Sequence, residues 1–342
     1  MTIESKKHTL QMIDIARMAG VSKSTVSRAL AGSPLVNAET RELILNIAQA
    51  NNYRLNTAAR NFRLKESLTI ALLMPSAQKA DWCLSVPFFL ELLSAIAEAV
   101  DESGHQLLLS RTTAQSGNWI EEFINARTAD GVILIGQGSQ HEKINEIARD
   151  YHALSVWGAQ VDKHQSYATV GSDNELGGYR ATRHLIDEGR RNIAFLGYTN
   201  LPEMRLRYQG YRRALKEARI KLNTALKRPA RHSEDAGYHA TQKLIEENVP
   251  FDAIVAVSDL FAMAAIRALQ EAGLRVPEDI AVVGYDDITL AASYNPPLTS
   301  IRQNRHLGGR LLVKNLLTAM KGDKPESVML DPELIIRKSS RR

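Results

Sequence analysis

Cysteine is almost absent: Cys83 stands alone in 342 residues, so no intrachain disulfide can form, which fits a reducing compartment. No apolar run approaches the length of a membrane span, and no charged-then-apolar leader opens the sequence, so a cytoplasmic location is expected. Also missing are G-x-S-x-G, a P-loop, H-E-x-x-H and a complete G-x-G-x-x-G; Gly136 and Gly138 are only a fragment of the last. The nine histidines show no metal-ligand spacing. These gaps exclude the common hydrolase, nucleotide-binding and zinc-enzyme classes, and neither an enzyme activity, a cofactor nor a metal is expected.

What is present is length and an uneven charge. At 342 residues the chain exceeds what one core usually serves, so two or three folding units are expected. Hydrophobic content of 44% with 24% charged residues is that of an ordinary globular protein. The net charge of +5 is concentrated: residues 1–67 carry ten Lys and Arg against five Asp and Glu, and the rest of the chain 33 of each. A small basic domain on a neutral body is the electrostatic layout of a nucleic-acid reader, although a solvated basic tail has the same composition.

Local pattern separates the two. From Met12 to Leu30 the chain reads MIDIARMAGVSKSTVSRAL. Ile15, Ala16 and Ala19 make the apolar stripe of a short helix; Gly20 suits a turn that needs positive φ; Val21 plugs the gap; Ser22 is a good N-cap for a second helix. That helix buries Val26, Ala29 and Leu30 and shows Lys23, Ser24, Thr25, Ser27 and Arg28. Hydroxyls bond phosphates, and Lys and Arg reach guanine O6 and N7, so Ser22, Lys23, Ser24, Thr25, Ser27 and Arg28 are the candidate DNA contacts of a helix-turn-helix. A third helix, capped by Asn37 with Leu43, Ile44, Ile47 and Ala48 inward, closes the head at residues 1–54, with Asn51 to Tyr53 as its frayed end. Residues 55–67 follow, small and cationic. They form either a plain linker or a hinge helix stable only against another surface. As a hinge, two copies would enter a minor groove with Phe62 as the wedge between base pairs.

Beyond residue 68, apolar runs at 69–74, 106–110, 131–135, 153–156, 193–197, 253–257 and 280–285 alternate with amphipathic helices. The first has Phe89, Leu92, Leu93, Ile96, Ala97 and Val100 at helical spacing up to Gly104; the others cover about 117–128, 174–188, 205–218, 237–247, 259–272 and 304–320. Such alternation means parallel sheets covered by helices, and so many elements imply two lobes. Ligands of open parallel sheets bind beyond the carboxyl ends of strands, which points to Pro75-Ser76, Gly136-Gln137, Trp157-Gly158, Tyr198, Ser258-Asp259 and Tyr285-Asp286. Aromatic faces with a few directed polar groups suit a sugar, and Arg205 or Arg207 would supply a fork for its hydroxyls. Several of these positions have plainer readings: Asp259 reads as a helix N-cap, Asp287 as a cap of the turn, and Trp157 equally as core. Phe88 leans toward the cleft. Arg207 and Asp286, charges near buried strand ends, must pair with each other or hold the ligand.

The run from Ile13 to Ser67 resembles the DNA-binding head and hinge of the LacI/GalR family of bacterial regulators. The residues that carry the likeness are D-I-A at 14–16, A-G-V-S at 19–22, T-V-S-R at 25–28, Thr40-Arg41, Tyr53 and N-x-A-A-R at 56–60. The likeness continues to about Lys338 through R-L-R-Y-Q-G-Y at 205–211, V-S-D-L-F-A-M-A at 257–264, V-V-G-Y-D-D at 282–287 and N-P-P-L-T-S-I at 295–301. It implies an all-α helix-turn-helix head joined by a hinge helix to an α/β two-lobed body, like periplasmic sugar-binding proteins, with parallel sheets. By that analogy the effector-binding and dimerisation body spans 68–338, lobe one being 68–170 with 301–330 and lobe two 171–300 with 331–338. The resemblance further implies DNA contacts at Asn56, Ala59 and Phe62, and effector contacts at Phe88, Trp157, Arg207, Ser258 and Asp286. Phe62 stands where the family usually has leucine, Leu55 where many members have proline, and Ser258 where many have asparagine. The expected protein is a homodimeric repressor of palindromic operator DNA, controlled by a small carbohydrate, an inducer rather than a corepressor. With no leucine heptad near Lys338, a tetramer-forming tail is not expected. The alternative is a sugar-binding protein or sugar-modifying enzyme whose helical head is an interaction module; an activator would differ only in where its operator lies.

Overall fold

In a computed structural model the chain divides between Ser67 and Leu68 into two units, and residues 10–30, 32–51, 53, 67–76, 86–113, 119–126, 128–162, 164–229 and 235–341 are described. The hinge segment with Leu55, Asn56, Ala59 and Phe62 lies outside the described residues, as does Cys83.

The head is three helices, α1 (Met12–Ala19), α2 (Lys23–Leu30) and α3 (Ala38–Ala50). Eight-residue helices are unstable alone; these persist because Ile15, Val26 and Ile44, each fully buried, meet in one core with Ala16, Ala29 and Val36. Gly20 ends α1 with φ of 66°, and the next amide, of Val21, donates to the Ala16 carbonyl at 3.0 Å. Ser22 Oγ accepts the Thr25 amide at 3.1 Å, and Asn37 Oδ1 accepts that of Thr40 at 2.8 Å, so both caps sit where the sequence puts them. The buried stripe of α3 is narrower than its sequence suggests. Ile44 and Ala48 are inside, but Leu43 is 49% exposed, because the two short helices beneath cover only one line of that helix.

The body holds two six-stranded sheets. The first contains β1 (Thr69–Ser76), β2 (Gln106–Thr113), β3 (Gly131–Ile135), β4 (Leu154–Trp157), β5 (Thr169–Ser172) and β11 (Val328–Leu330) in the order β11-β5-β4-β3-β1-β2, all parallel. In the second, β6 (Ile193–Leu196), β7 (Lys227–Arg228), β8 (Ala253–Ala256), β9 (Ala281–Asp286), β10 (Thr299–Arg302) and β12 (Glu333–Ile335) lie in the order β12-β10-β9-β8-β6-β7, with β12 antiparallel to β10. Central strands such as β3, β6, β8 and β9 are buried along their whole length, as parallel strands covered on both faces must be. The chain passes between sheets after Ser172, after Arg302 and after Leu330. The first two passages fall two residues later than the junctions expected at 170/171 and 300/301, because hydrogen bonding keeps Gly171 and Ser172 beside β11, and Ile301 and Arg302 beside β9. Among the described residues no helix is long and apolar enough to cross a membrane.

Helices α4 (Pro87–Glu102), α5 (Trp119–Asn125), α6 (His141–Ile147) and α12 (Arg305–Met320) go with the first sheet. Helices α7 (Asn174–Asp187), α8 (Pro202–Glu217), α9 (Ala236–Glu246), α10 (Asp259–Glu271) and α11 (Thr289–Ser293) go with the second. The closest helix pairing is α7 on α8. A Cβ on Gly178 would lie 2.1 Å from the Arg207 carbonyl oxygen, and one on Gly210 1.9 Å from that of Glu175, so the two backbones touch only because both side chains are hydrogen. The C-terminal serines are stitched under the second sheet. Ser339 Oγ donates to the Val282 carbonyl (2.6 Å) and accepts the Thr299 amide (2.8 Å), while Ser340 Oγ meets Thr299 Oγ1 and His184 Nε2, each at 2.7 Å. Burial holds the His184 imidazole below its ordinary pKa.

Gly178→Ala is expected to destabilise the body by about 1–3 kcal/mol, the usual cost of overpacking, because the α8 backbone that gives way belongs to Arg207. Urea unfolding read by body tryptophan fluorescence checks this; an unchanged midpoint would show that the α7–α8 contact has slack.

Candidate functional site

The carboxyl ends of the second sheet gather three acids and one buried arginine. Asp286 ends β9 with φ of 110°, and Asp287 follows at 49°. Two successive non-glycine residues in that region cost about 1–3 kcal/mol each unless their surroundings hold them. Here both carboxylates are anchored, in opposite directions. Asp286 Oδ1 accepts from Gln303 Nε2 at 2.7 Å and lies 3.8 Å from the Arg207 guanidinium. Asp287 pairs with Arg302 and Arg337, each at 2.7 Å, and its amide donates to Ser300 Oγ at 3.0 Å. One acid turns to Arg207 and Gln303, and its neighbour grips Arg302 on β10 and Arg337 just past β12.

Arg207, 5% exposed, enters from the second turn of α8. Its Nε donates to Asn174 Oδ1 at 2.8 Å, Nη1 donates to the Val257 carbonyl at the end of β8, and the guanidinium stacks 3.5 Å over the Tyr285 ring. Arg205 points to solvent, so of the two arginines only Arg207 faces inward. Glu203 lies one turn before it; burial raises its carboxyl above the ordinary range and the neighbouring Arg207 draws it back. Asp259 does not cap α10. Ser258 is the N-cap, accepting the Phe261 amide at 3.5 Å, and Asp259 is wholly buried, accepting from Ser300 Oγ (2.5 Å) and the Ile288 amide (2.8 Å). Desolvation, with Asp286 nearby, pushes its carboxyl well above the ordinary range. Nor does Asp287 cap a turn: its bonds are to the two arginines.

On the first lobe, Phe88 and Trp157 are 4% and 5% exposed and pack together at 5.9 Å. The indole is seated on Gly308 of α12, where a Cβ would come within 2.5 Å of the ring. Gln137, at the end of β3, is consumed internally: its Oε1 accepts the Ala159 amide (2.9 Å) and its Nε2 donates to the Ala159 carbonyl (2.5 Å) and Tyr167 Oη (2.9 Å). Asn174, Gln303, Glu203 and Arg305 are participants that sequence reasoning passed over. The polar run Ser172-Asp173-Asn174 opening a helix was a usable signal for the first; Gln303 and Arg305 lie on the passage after β10, a strand absent from the sequence reading.

In the head, Ser22, Lys23, Ser24 and Arg28 are exposed and Thr25 and Ser27 half-buried. Ser22 Oγ joins Ser24 Oγ at 2.7 Å and Thr25 Oγ1 at 2.8 Å, so three hydroxyls form one polar cluster at the start of α2. No acid lies on that helix, which leaves its cations unopposed within it. Among the described residues, no group of three His, Cys, Asp or Glu is placed to hold a metal.

Residues 11–56 match the model of the bacterial regulatory proteins of the lacI family, and 182–340 that of the periplasmic binding protein-like domain. The chain is 31% identical over 333 residues to the HTH-type transcriptional repressor PurR of Pasteurella multocida (strain Pm70), covering 95% of this chain and 97% of that protein. Its structure is similar to that of the Lac repressor dimer bound to operator and the anti-inducer ONPF, with a TM-score of 0.85 and 27% identity over 97% of this chain and 99% of the other. It is also similar to the complex of the transcriptional regulator CelR with cellobiose, with a TM-score of 0.71 and 30% identity over 96% and 99%.

Burial pushes the Asp286 carboxyl up to about 6 against the pull of Arg207 and Gln303. A carboxyl that holds its proton more tightly when folded favours the folded state at low pH. That contribution fades as pH rises from about 4, where the unfolded chain ionises, through about 6. Asp286→Asn should therefore flatten the fall of stability across this window, by up to about 3 kcal/mol; parallel stability curves for the two proteins from acid to neutral pH would show that folding leaves the Asp286 pKa unshifted.

Proposed function

The chain belongs to the lacI family of bacterial regulatory proteins, and from that premise we propose a cytoplasmic homodimeric repressor that binds a palindromic operator and responds to a small sugar, an inducer, held between the lobes of each body. The observation that carries the reading is the buried Arg207–Asp286 pair at the strand ends: a guanidinium fork and a carboxylate side by side are donor and acceptor for adjacent hydroxyls. Their 3.8 Å separation is longer than a charge-assisted hydrogen bond, which leaves both able to take a ligand. Ser258 and the Phe88–Trp157 pair complete the proposed contacts. The CelR complex contains cellobiose, which supports a sugar as the ligand class.

At the other end, α2 enters a major groove with Lys23 and Ser24 toward base edges and with Ser22, Thr25, Ser27 and Arg28 on phosphates and neighbouring bases. Asn56, Ala59 and Phe62 engage the minor groove. Dimerisation has support in the body, where Leu90, Leu108, Leu109 and Leu290 are 48%, 37%, 43% and 50% exposed, large apolar side chains that a second copy would cover; the solved Lac repressor is a dimer on its operator. The protein works by linkage and not by catalysis: the sugar prefers one lobe arrangement, and operator affinity shifts with it.

Selection of duplexes from a palindromic library, followed by salt titration, tests the reading. A specific reader enriches one palindrome, and its log affinity falls linearly with log salt; no preference over random duplex would end the proposal. Exchanging Lys23 and Ser24 should change which palindrome is enriched, at about 1–3 kcal/mol per lost base contact. Arg207→Ala should leave operator affinity within twofold while abolishing release by any sugar that releases the wild type; normal release would remove Arg207 from the pocket.

A further inference from the structure

A carboxylate of lobe one is bonded directly to lobe two behind the Asp286–Asp287 turn. Glu91, on the second turn of α4, accepts through Oε1 both the amide (3.2 Å) and the hydroxyl (3.0 Å) of Thr289, the first residue of α11. Its Oε2 lies 2.6 Å from the guanidinium of Arg305, at the start of α12. Nη1 of the same guanidinium donates to the main-chain carbonyls of Asp286 (2.5 Å) and Asp287 (3.2 Å). The Glu91 and Arg305 side chains are only 27% and 18% exposed, so water competes weakly for these bonds. The network runs from a lobe-one helix, through an arginine on the passage between lobes, to the backbone that presents Asp286.

We propose that the Glu91 carboxylate is a cross-cleft latch that holds the lobes in the arrangement seen here and thereby sets the resting balance between the protein's two lobe arrangements. None of the three groups needs to touch the effector. The bonds to Thr289 exist only while α4 and α11 are side by side, so any opening of the cleft breaks them. Arg305, the first residue of α12, bridges Glu91 and the Asp286–Asp287 backbone, so it cannot keep both partners when that happens. A latch already made in the absence of ligand raises the fraction of molecules competent to bind between the lobes, and apparent affinity scales with that fraction. The regulatory consequence rests on the effector reading above; the latch itself does not.

The test uses the full chain without DNA or sugar. In a Cys83→Ser background, spin labels at Asp323→Cys in lobe one and Lys221→Cys in lobe two, both exposed positions, report the interlobe distance by pulsed electron resonance. Glu91→Gln keeps the shape and removes the charge. It should raise the open-to-closed ratio about 5- to 10-fold, the low end of typical couplings, since the pair is partly solvated. Thr289→Val should move the ratio the same way by less, and the double variant should exceed Glu91→Gln by little, because one carboxylate makes both contacts. Identical distance distributions in wild type, Glu91→Gln and Thr289→Val, all folded by circular dichroism, would overturn the latch. Should Glu91→Gln fail to fold, Thr289→Val alone decides. Because no sugar is present, a failure of the sugar panel to bind leaves this result intact.

Discussion

Withdrawing a guanidinium from water costs several kcal/mol unless its N–H groups find acceptors and its charge finds a partner. Arg207 draws these from four segments at once: Asn174 where the chain first enters lobe two, the carbonyl that ends β8, the Tyr285 ring inside β9, and the carboxylate that ends β9. Neither Asn174 nor the end of β8 can shift without leaving a buried donor unmet. The same demand explains why α8 approaches α7 closely enough to need glycine at 178 and 210, and why positive φ is tolerated at Asp286, the last residue of β9, and at Asp287 just beyond it. The proposed binding chemistry and the packing of lobe two are one set of bonds.

Asp286 and Asp287 divide this work between them. They are adjacent, yet their carboxylates diverge, one to Gln303 and Arg207, the other to Arg302 on β10 and Arg337 just past β12. A ligand that draws on the first residue acts on a backbone whose next residue is tied to the segments along which the lobes turn. Short-range bonds of this kind transmit an all-or-none repacking better than a graded strain, because packed, hydrogen-bonded contacts switch between arrangements and do not deform continuously. DNA recognition obeys different physics. Residues 1–67, the head with the hinge segment, hold the whole excess positive charge, so their attraction to a duplex is long-ranged and weakened by salt, whereas the cleft acts only on contact.

The legibility of these features in the sequence follows their physical range. Local geometry was readable: the Gly20 turn, the Ser22 and Asn37 caps and the Ile15–Val26–Ile44 core depend on neighbours within a turn or two. The long apolar strands and most helices were equally plain. Five strands were not, because Thr169–Ser172, Lys227–Arg228, Thr299–Arg302, Val328–Leu330 and Glu333–Ile335 are only two to four residues long, too short to show a period; their pairing partners, far away in the chain, decide them. Asp259 shows the same limit at one residue. Its neighbour Ser258 competes for the cap and wins, and the acid turns inward to Ser300 and Ile288, 41 and 29 residues away. Arg207 and Asp286 were legible as charges requiring compensation, while Asn174, Gln303 and Arg305, which provide it, depend on a tertiary arrangement no local pattern encodes.

The edge strands β11 and β12 come from residues 328–335, one added to each sheet. A chain emerging from the ribosome in order can complete the head once its first fifty-odd residues are free, since every partner there is local. Neither lobe can do so. Until the last few per cent of the chain has emerged, β5 and β10 each present a row of unpaired amides and carbonyls, the template on which foreign strands dock. The nascent protein thus passes through a stage with a finished nucleic-acid reader and two unfinished sheets, and a premature stop in the final turn of α12 would leave it there.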